Sequence, residues 1–424
     1  MIKVMKPLFC VCLAILLLPS TSFSLGSGAI GNESGISTKA TSHGYAFTGV
    51  ADDPSAIFYN PAGLVQVKGL QMMGGTSVLS INSEHTTPSG VTDKMAPHLP
   101  LAPYFYASFS GENSPFAFGI GVNSPFGLIT EWKDNSFSKY YATKSELLMY
   151  MINPSIAYSL RDNLMIGTGL DYFNVFRTEL NQKVFNGPGN TDGDSKFSVS
   201  GHAWGYNAGI LWKTSSADSV GLTYRSQANV PLRGDVMLSN LSGIPAFIFG
   251  GSSFQTGAST EIKFPQNVTV GYGHKFDRCQ FFLDYEWVNW ATTDSTDFNF
   301  GQNNPGLTQS IPRHWRNTNN LGTGIEWHQN QFLDLRAGAL VYETVVPSGT
   351  LESSIPDAGR VTLTVGTGMH FSDFSVDLGY QADFLKNRNI QNSAGNAFAS
   401  MNGEFKSQIN IFSVGVSQKW GGAH

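Results

Sequence analysis

Charge is scarce in this chain. Only 13% of its 424 residues are Asp, Glu, Lys or Arg, about half the ~25% of an ordinary soluble domain. The net charge of −5 is small and no long Lys/Arg run occurs, so the basic footprint of a nucleic-acid partner is missing. Cysteine is nearly absent: of three, Cys10 and Cys12 lie inside a leading apolar run and Cys279 stands alone. That arrangement excludes an internal disulfide in a mature chain and a cysteine metal cluster. Beyond the leading run there is no uninterrupted apolar stretch of about 18 residues, which excludes a helical membrane anchor. No G-x-S-x-G elbow or H-E-x-x-H helix is present, and the nine histidines are scattered. Neither a cofactor, nor a metal, nor enzymatic activity is expected.

What is abundant is glycine, 46 residues, and aromatic side chains, 12%. Poor in charge and rich in these two, the composition suits a wall with lipid on one side. The chain begins with Lys3 and Lys6, an apolar run from Leu8 to Leu18, and Ser22-Phe23-Ser24 with small residues at −3 and −1. Residues 1–24 therefore read as a secretory signal peptide. A secreted chain without a helical span is periplasmic, extracellular, or an outer-membrane barrel.

Strand signals follow. Phe116, Phe118, Ile120 and Val122 alternate with Ala117, Gly119, Gly121 and Asn123, and Val361, Leu363, Val365 and Thr367 alternate with Thr362, Thr364, Gly366 and Gly368. Period two with one greasy face and one small or polar face is the signature of a strand. About 14 such segments occur between 69 and 420, joined by connections that are alternately long and short. Long loops on one side, short turns on the other and an even strand count are the transmembrane β-barrel pattern. The expected fold is all-β, a 14-stranded antiparallel transmembrane barrel over 69–420, with a C-terminal tail at 421–424. Trp204, Trp212, Trp287, Trp290, Trp315, Trp327 and Trp420 lie near segment ends, where together they are expected in interfacial girdles and singly each serves as plain packing.

One stretch fits neither strand nor amphipathic helix: Val50-Ala-Asp-Asp-Pro-Ser-Ala-Ile-Phe-Tyr-Asn-Pro-Ala-Gly-Leu64. Asp53-Pro54 and Asn60-Pro61 favour turns, and Ile57, Phe58 and Tyr59 need an apolar surface to lie on. Residues 25–68 are accordingly expected to form a hatch inside the barrel. Charges on the non-lipid face, Asp171, Arg225, Asp284, Glu286, Glu326, Arg336 and Asp377, either brace the lumen as ion pairs or, at Arg177 or Arg336, meet a substrate carboxylate.

With Ala51-Asp52-Asp53 followed by Asn60-Pro61-Ala62, with Trp204-Gly205-Tyr206-Asn207-Ala208-Gly209-Ile210, Leu222-Thr223-Tyr224-Arg225-Ser226, and Ile355-Pro356-Asp357 before Arg360, the chain resembles the FadL family. That family comprises outer-membrane transporters for long-chain fatty acids and other hydrophobic compounds. The resemblance implies a barrel plugged by its N-terminal hatch, with Asn60, Pro61 and Ala62 as the hatch motif. It also implies a lateral gap at the third strand, here over Asn123, Ser124, Pro125, Phe126 and Gly127. Pro125 lacks a ladder donor and Gly127 tolerates a bend, the alternative being that Pro125 simply ends the strand where the second long loop starts. The loop from Thr178 to Gly201 reads as short and without helical periodicity, so the expected apolar capture surface is Ile244, Phe247, Ile248 and Phe249.

The expected function is passive uptake of a fatty acid or hydrocarbon across the outer membrane by a monomer whose partners are that solute and membrane lipid, with no nucleic acid. A polar-solute porin or a loop-based adhesin is the alternative, and a barrel hydrolase ranks last.

Overall fold

The computed structural model describes residues 35–301, 308–391 and 401–420. The signal peptide, the first ten residues of the expected hatch and the C-terminal tail lie outside the described residues.

Fourteen antiparallel staves form a closed barrel. In chain order they are β1 (Gly69–Thr86), β2 (Leu101–Ser110), β3 (Phe116–Asn123 with Leu128–Glu131), β4 (Lys144–Arg161), β5 (Leu164–Val184), β6 (Gly193–Lys213) and β7 (Asp218–Arg225 with Ala228–Ser239). Then come β8 (Phe254–Phe264 with Asn267–Lys275), β9 (Cys279–Val288 with Ser295–Phe300), β10 (Thr308–Pro312 with Thr318–His328), β11 (Leu333–Tyr342), β12 (Arg360–His370), β13 (Phe374–Leu385) and β14 (Gly403–Trp420). Each pairs with its neighbours, and β1 closes the wall against β14 from Leu70↔Trp420 to Thr86↔Glu404. Closure satisfies most ladder donors and acceptors without water.

Alternation decides the faces. On β12, Leu363 and Val365 are 50% and 54% exposed while Thr362 and Thr364 are at most 2% exposed, so the greasy side looks at lipid and the small polar side looks inward. No helix among the described residues is long and apolar enough to cross a membrane.

Two expectations are corrected here. The segment from Thr178 to Gly201 is mostly wall: β5 and β6 stay paired up to Val184↔Gly193, leaving a connection of only eight residues, 185–192. Above the lipid both faces of a strand can be polar, so the periodicity that marks the lower part fades while the ladder continues. Trp290 and Trp315 are 6% and 5% exposed and pack on each other at 5.5 Å, inside the lumen and not in a girdle. They sit where β9 and β10 are interrupted and the strand parity is lost.

The hatch fills the half of the barrel nearest the short turns. Helix α1 (Thr38–Ser42) is capped by Ser37, whose Oγ accepts from the Ala40 amide. Helix α2 (Ala56–Tyr59) and a 3-10 turn (Pro61–Gln66) follow. Ile36, Ala40, Phe47, Ala56, Ile57 and Leu64 are fully buried. Here the wall's small face explains itself, because a Cβ on Gly209 would stand 2.2 Å from Asn60 Oδ1 and one on Gly338 2.2 Å from the Gly44 amide nitrogen. Glycine is what allows the plug's backbone to touch the wall.

Candidate functional site

Three features meet in the lumen: the hatch motif, a cavity above it, and an interruption of the wall beside both.

Asn60-Pro61-Ala62 is a capped turn. Asn60 is extended (φ −159°, ψ 99°), as a residue before proline prefers. Its Oδ1 accepts from the Ala62 amide at 3.2 Å, and Pro61 occupies the first position of the 3-10 turn, where no donor is needed. Its Nδ2 donates at 3.0 Å to Thr48 O within the hatch and at 3.0 Å to Ile210 O of β6. The loop below is pinned by Asp284, whose Oδ2 accepts from the Phe47 and Thr48 amides at 3.0 and 2.8 Å. Arg225 ties wall to hatch: Nη1 reaches Asp171 at 2.5 Å, Nη2 donates to Phe58 O at 3.0 Å, and the guanidinium lies 4.5 Å from the Phe58 ring. Asp53, in the same loop, accepts from the Ser55 amide at 2.8 Å and from its hydroxyl at 2.5 Å through Oδ1, while Oδ2 is buried without a partner. Burial pushes the Asp53 carboxyl up to about 6, with the neighbouring Asp52 adding to the effect.

The wall is broken at β3. Asn123 pairs with Met151 and Leu128 with Leu147, so Ser124, Pro125, Phe126 and Gly127 face only Leu148, Met149 and Tyr150. That is one extra residue, a bulge that bends the stave. On the other side the β2–β3 ladder ends at Phe105↔Val122. Leu101 to Ala102 and Pro103 to Tyr104 remain paired to β1 and have no β3 partner among the described residues. This unpaired stretch is bounded above by the Ala96 amide, which donates to Glu131 O at 2.8 Å. Pro125 thus bends the stave instead of ending it, since pairing with β4 resumes at Leu128. The hatch presses this same stave: a Cβ on Gly119 would lie 2.6 Å from Ile57 Cδ1.

Above the hatch lies a cavity of about 300 Å³ walled by Leu128, Leu147, Leu180, Phe197, Val236, Phe298 and Ile355, among others. Leu128 is the first ladder residue past the bend, so the cavity reaches the interruption. Phe126 turns into the lumen and stacks on Phe264 at 4.3 Å. Phe58 of the hatch packs against both the cavity's apolar cluster and the hatch's own. The cavity's polar side is Arg313, bound to Glu352, which also accepts from Ser354 and Tyr141. The loop that brings Glu352 inward is held by Asp357, whose Oδ2 accepts from the Val345 and Val346 amides at 2.8 and 2.9 Å.

The two arginines expected to meet a ligand carboxylate differ. Arg336 is corrected to a brace: its side chain is 1% exposed, close to the short turns, and bound to Glu326 and Asp377. Arg177 is 45% exposed, with Nε 2.7 Å from Glu146 and 3.3 Å from Glu179, beside two carboxylates that line the cavity. Ile244, Phe247 and Ile248 are 73%, 88% and 67% exposed on helix α3 (Gly243–Phe249), in a long loop. Arg313 and Glu352 were not singled out from sequence, and Trp315 was expected in a girdle. The only signal near them is the Ile355-Pro356-Asp357 phrase.

A closed barrel with a lumenal plug, an apolar chamber and a bulge in its wall is the architecture of an outer-membrane transport protein. The family model described as outer membrane protein transport protein (OMPP1/FadL/TodX) matches residues 21–420, and the chain belongs to that family. A long-chain fatty acid transport protein of Escherichia coli O6:H1 is 24% identical over 409 residues, 87% of this chain and 90% of the relative. Outer membrane protein P1 of Haemophilus influenzae is 22% identical over 411 residues, 84% of this chain and 85% of the relative. Among solved structures, a Pseudomonas aeruginosa FadL homologue superposes with a TM-score of 0.79 at 19% identity, covering 95% of this chain and 100% of its own. The Pseudomonas putida toluene transporter TodX superposes at 0.72 and 18% identity, covering 94% and 99%.

Proposed function

We propose that this outer-membrane protein takes up hydrophobic small molecules passively and releases them sideways into the bilayer at β3. The observation that carries the reading is the bulge at Ser124–Gly127, which interrupts the wall where the apolar cavity and the hatch meet it. A solute first rests on α3, at the exposed Ile244, Phe247 and Ile248 and the half-buried Phe249, then enters the cavity. Lateral exit keeps it out of water, which would cost ~0.8 kcal/mol for every CH₂ exposed. Phe58 of the hatch packs against the apolar cluster that surrounds the cavity, and small shifts of the hatch at Asn60-Pro61-Ala62 are the expected gate.

Fatty acids and aromatic hydrocarbons are both in range, in keeping with relatives named as a long-chain fatty acid transport protein and a toluene transporter. A fatty-acid carboxylate would have to take over Arg177 or Arg313 from the glutamates that now hold them, whereas a neutral hydrocarbon needs no such exchange. One chain suffices, because the wall closes on itself, and membrane lipid receives the product. The test is uptake of labelled oleate and toluene by cells expressing the protein, together with swelling of liposomes that contain it. Uptake above the empty-vector level with no sugar-driven swelling supports the reading, and rapid swelling with small sugars would make the protein a polar-solute porin.

A further inference from the structure

At the short-turn mouth of the barrel, below the hatch, β10, β11 and β12 bring a histidine and two carboxylates face to face. Cross-strand register sets Glu326 opposite Arg336 and His328 opposite Asp334. Asp334 Oδ1 is 2.8 Å from His328 Nδ1, and its Oδ2 is 2.6 Å from His370 Nε2. With Nδ1 donating to Asp334, the bare Nε2 of His328 is left facing Glu326 Oε1 across 4.0 Å. Glu326 is 3% exposed, and its Oε2 is occupied by Arg336 Nε at 2.5 Å. Its Oε1 makes no hydrogen bond among the described residues. Two lone-pair donors therefore oppose one another, and closing their gap by about half an ångström would bring both to the spacing of a tetrahedral zinc site.

A donor atom from each of Glu326, His328 and Asp334 lies within 4.8 Å of the others. Charge argues the same way: Glu326, Asp334 and Asp377 face a single guanidinium, Arg336, and the other cation acting on Glu326, Lys39, is paired with Asp52, so carboxylates outnumber cations when the histidines are neutral. His328 and His370 are 46% and 39% exposed, so the site opens to the periplasm. The sequence reading expected no metal, because these residues are separated by turns and meet only through register.

We propose that Glu326 and His328 bind a divalent cation of the zinc type at the periplasmic mouth, with Asp334 orienting His328 from its far edge and His370 as a positioning residue that holds Asp334. Carboxylate–histidine pairs of this kind orient metal ligands and raise their basicity. Because Glu326 Oε2 also lies 3.5 Å from His43 Nε2 of the hatch, the cation would tie the wall to the seat of the plug.

The experiment uses the untagged full chain in detergent, freed of metal by chelation and titrated with Zn²⁺ against a chromogenic chelator. One Zn²⁺ per chain is expected, weakened about tenfold or more in His328→Ala and to a lesser degree in His370→Ala. It should be unchanged in His314→Ala, an exposed histidine that contacts Asp294. Both mouth histidines are partly exposed, so these variants keep the fold, and heat-modified gel migration checks it. No stoichiometric Zn²⁺ uptake, or uptake that survives in the His328→Ala/His370→Ala double variant, would overturn the proposal.

Discussion

The side-chain amide of Asn60 donates at 3.0 Å to the main-chain carbonyl of Ile210, 150 residues away on β6. This bond fastens the hatch motif to the barrel wall. The same Nδ2 serves Thr48 O, and Oδ1 caps the 3-10 turn. Replacing Asn60 with Ala removes all three bonds at a fully buried position, at a cost of about 2 kcal/mol. Amide hydrogen exchange over 44–66 should accelerate by about tenfold or more, with the barrel strands unaffected.

Gly209 and Gly167 form the seat on which this turn rests. A Cβ at Gly167 would stand 2.4 Å from the Pro61 carbonyl carbon, a distance only backbone movement can relieve. Gly167→Ala is therefore expected to displace the motif and raise hatch exchange as Asn60→Ala does. Gly189→Ala, in open space at a loop tip, should leave hatch exchange untouched.

Arg225 and Asp171 are a buried pair that also holds Phe58 O. Arg225→Met leaves Asp171 without its cation and is expected to cost about 3 kcal/mol or more, and the double variant Arg225→Met/Asp171→Asn should recover most of it. Denaturation midpoints of the three variants in one detergent provide the measurement.

The hatch should also loosen as pH rises. Asp53 keeps its proton in the folded state up to about 6, above the ordinary aspartate value near 4. The folded state thus binds more protons than the unfolded one between these values. Its stability is highest at and below about pH 4, falls as pH rises to about 6 and is level above, a span of at most about 3 kcal/mol. Hatch exchange at pH 4.5 and 7.5 should differ less in Asp53→Asn than in the unaltered protein.

How far the sequence reached can be judged residue by residue. Leu363 beside Thr364 was legible because lipid on one side and a packed lumen on the other impose period two. The same pattern, with connections alternately long and short, marked the fourteen staves, and the turn-rich stretch around Ile57, Phe58 and Tyr59 called for an enclosing surface. The phrases around Asn207 and Arg225 proved to converge on the hatch: Gly209 seats Asn60, Ile210 accepts from it, and Arg225 holds Phe58. Register was not legible, so Arg336 could not be seen to face Glu326, nor His328 to face Asp334. Trp290 and Trp315 were misplaced because strand breaks erase parity. The cavity escaped because its polar pair, Arg313 and Glu352, comes from two interrupted regions joined only by the folded loop.

The account rests on the extra residue in β3. Deleting Pro125 leaves three residues facing Leu148, Met149 and Tyr150, restores an unbroken ladder with β4, and straightens the stave. The most direct measurement is oleate and toluene uptake by cells carrying this deletion, with surface amount and heat-modified migration equal to those of the unaltered protein. Uptake that falls to the level of cells lacking the protein is the result expected. Undiminished uptake through a straightened stave would contradict lateral release.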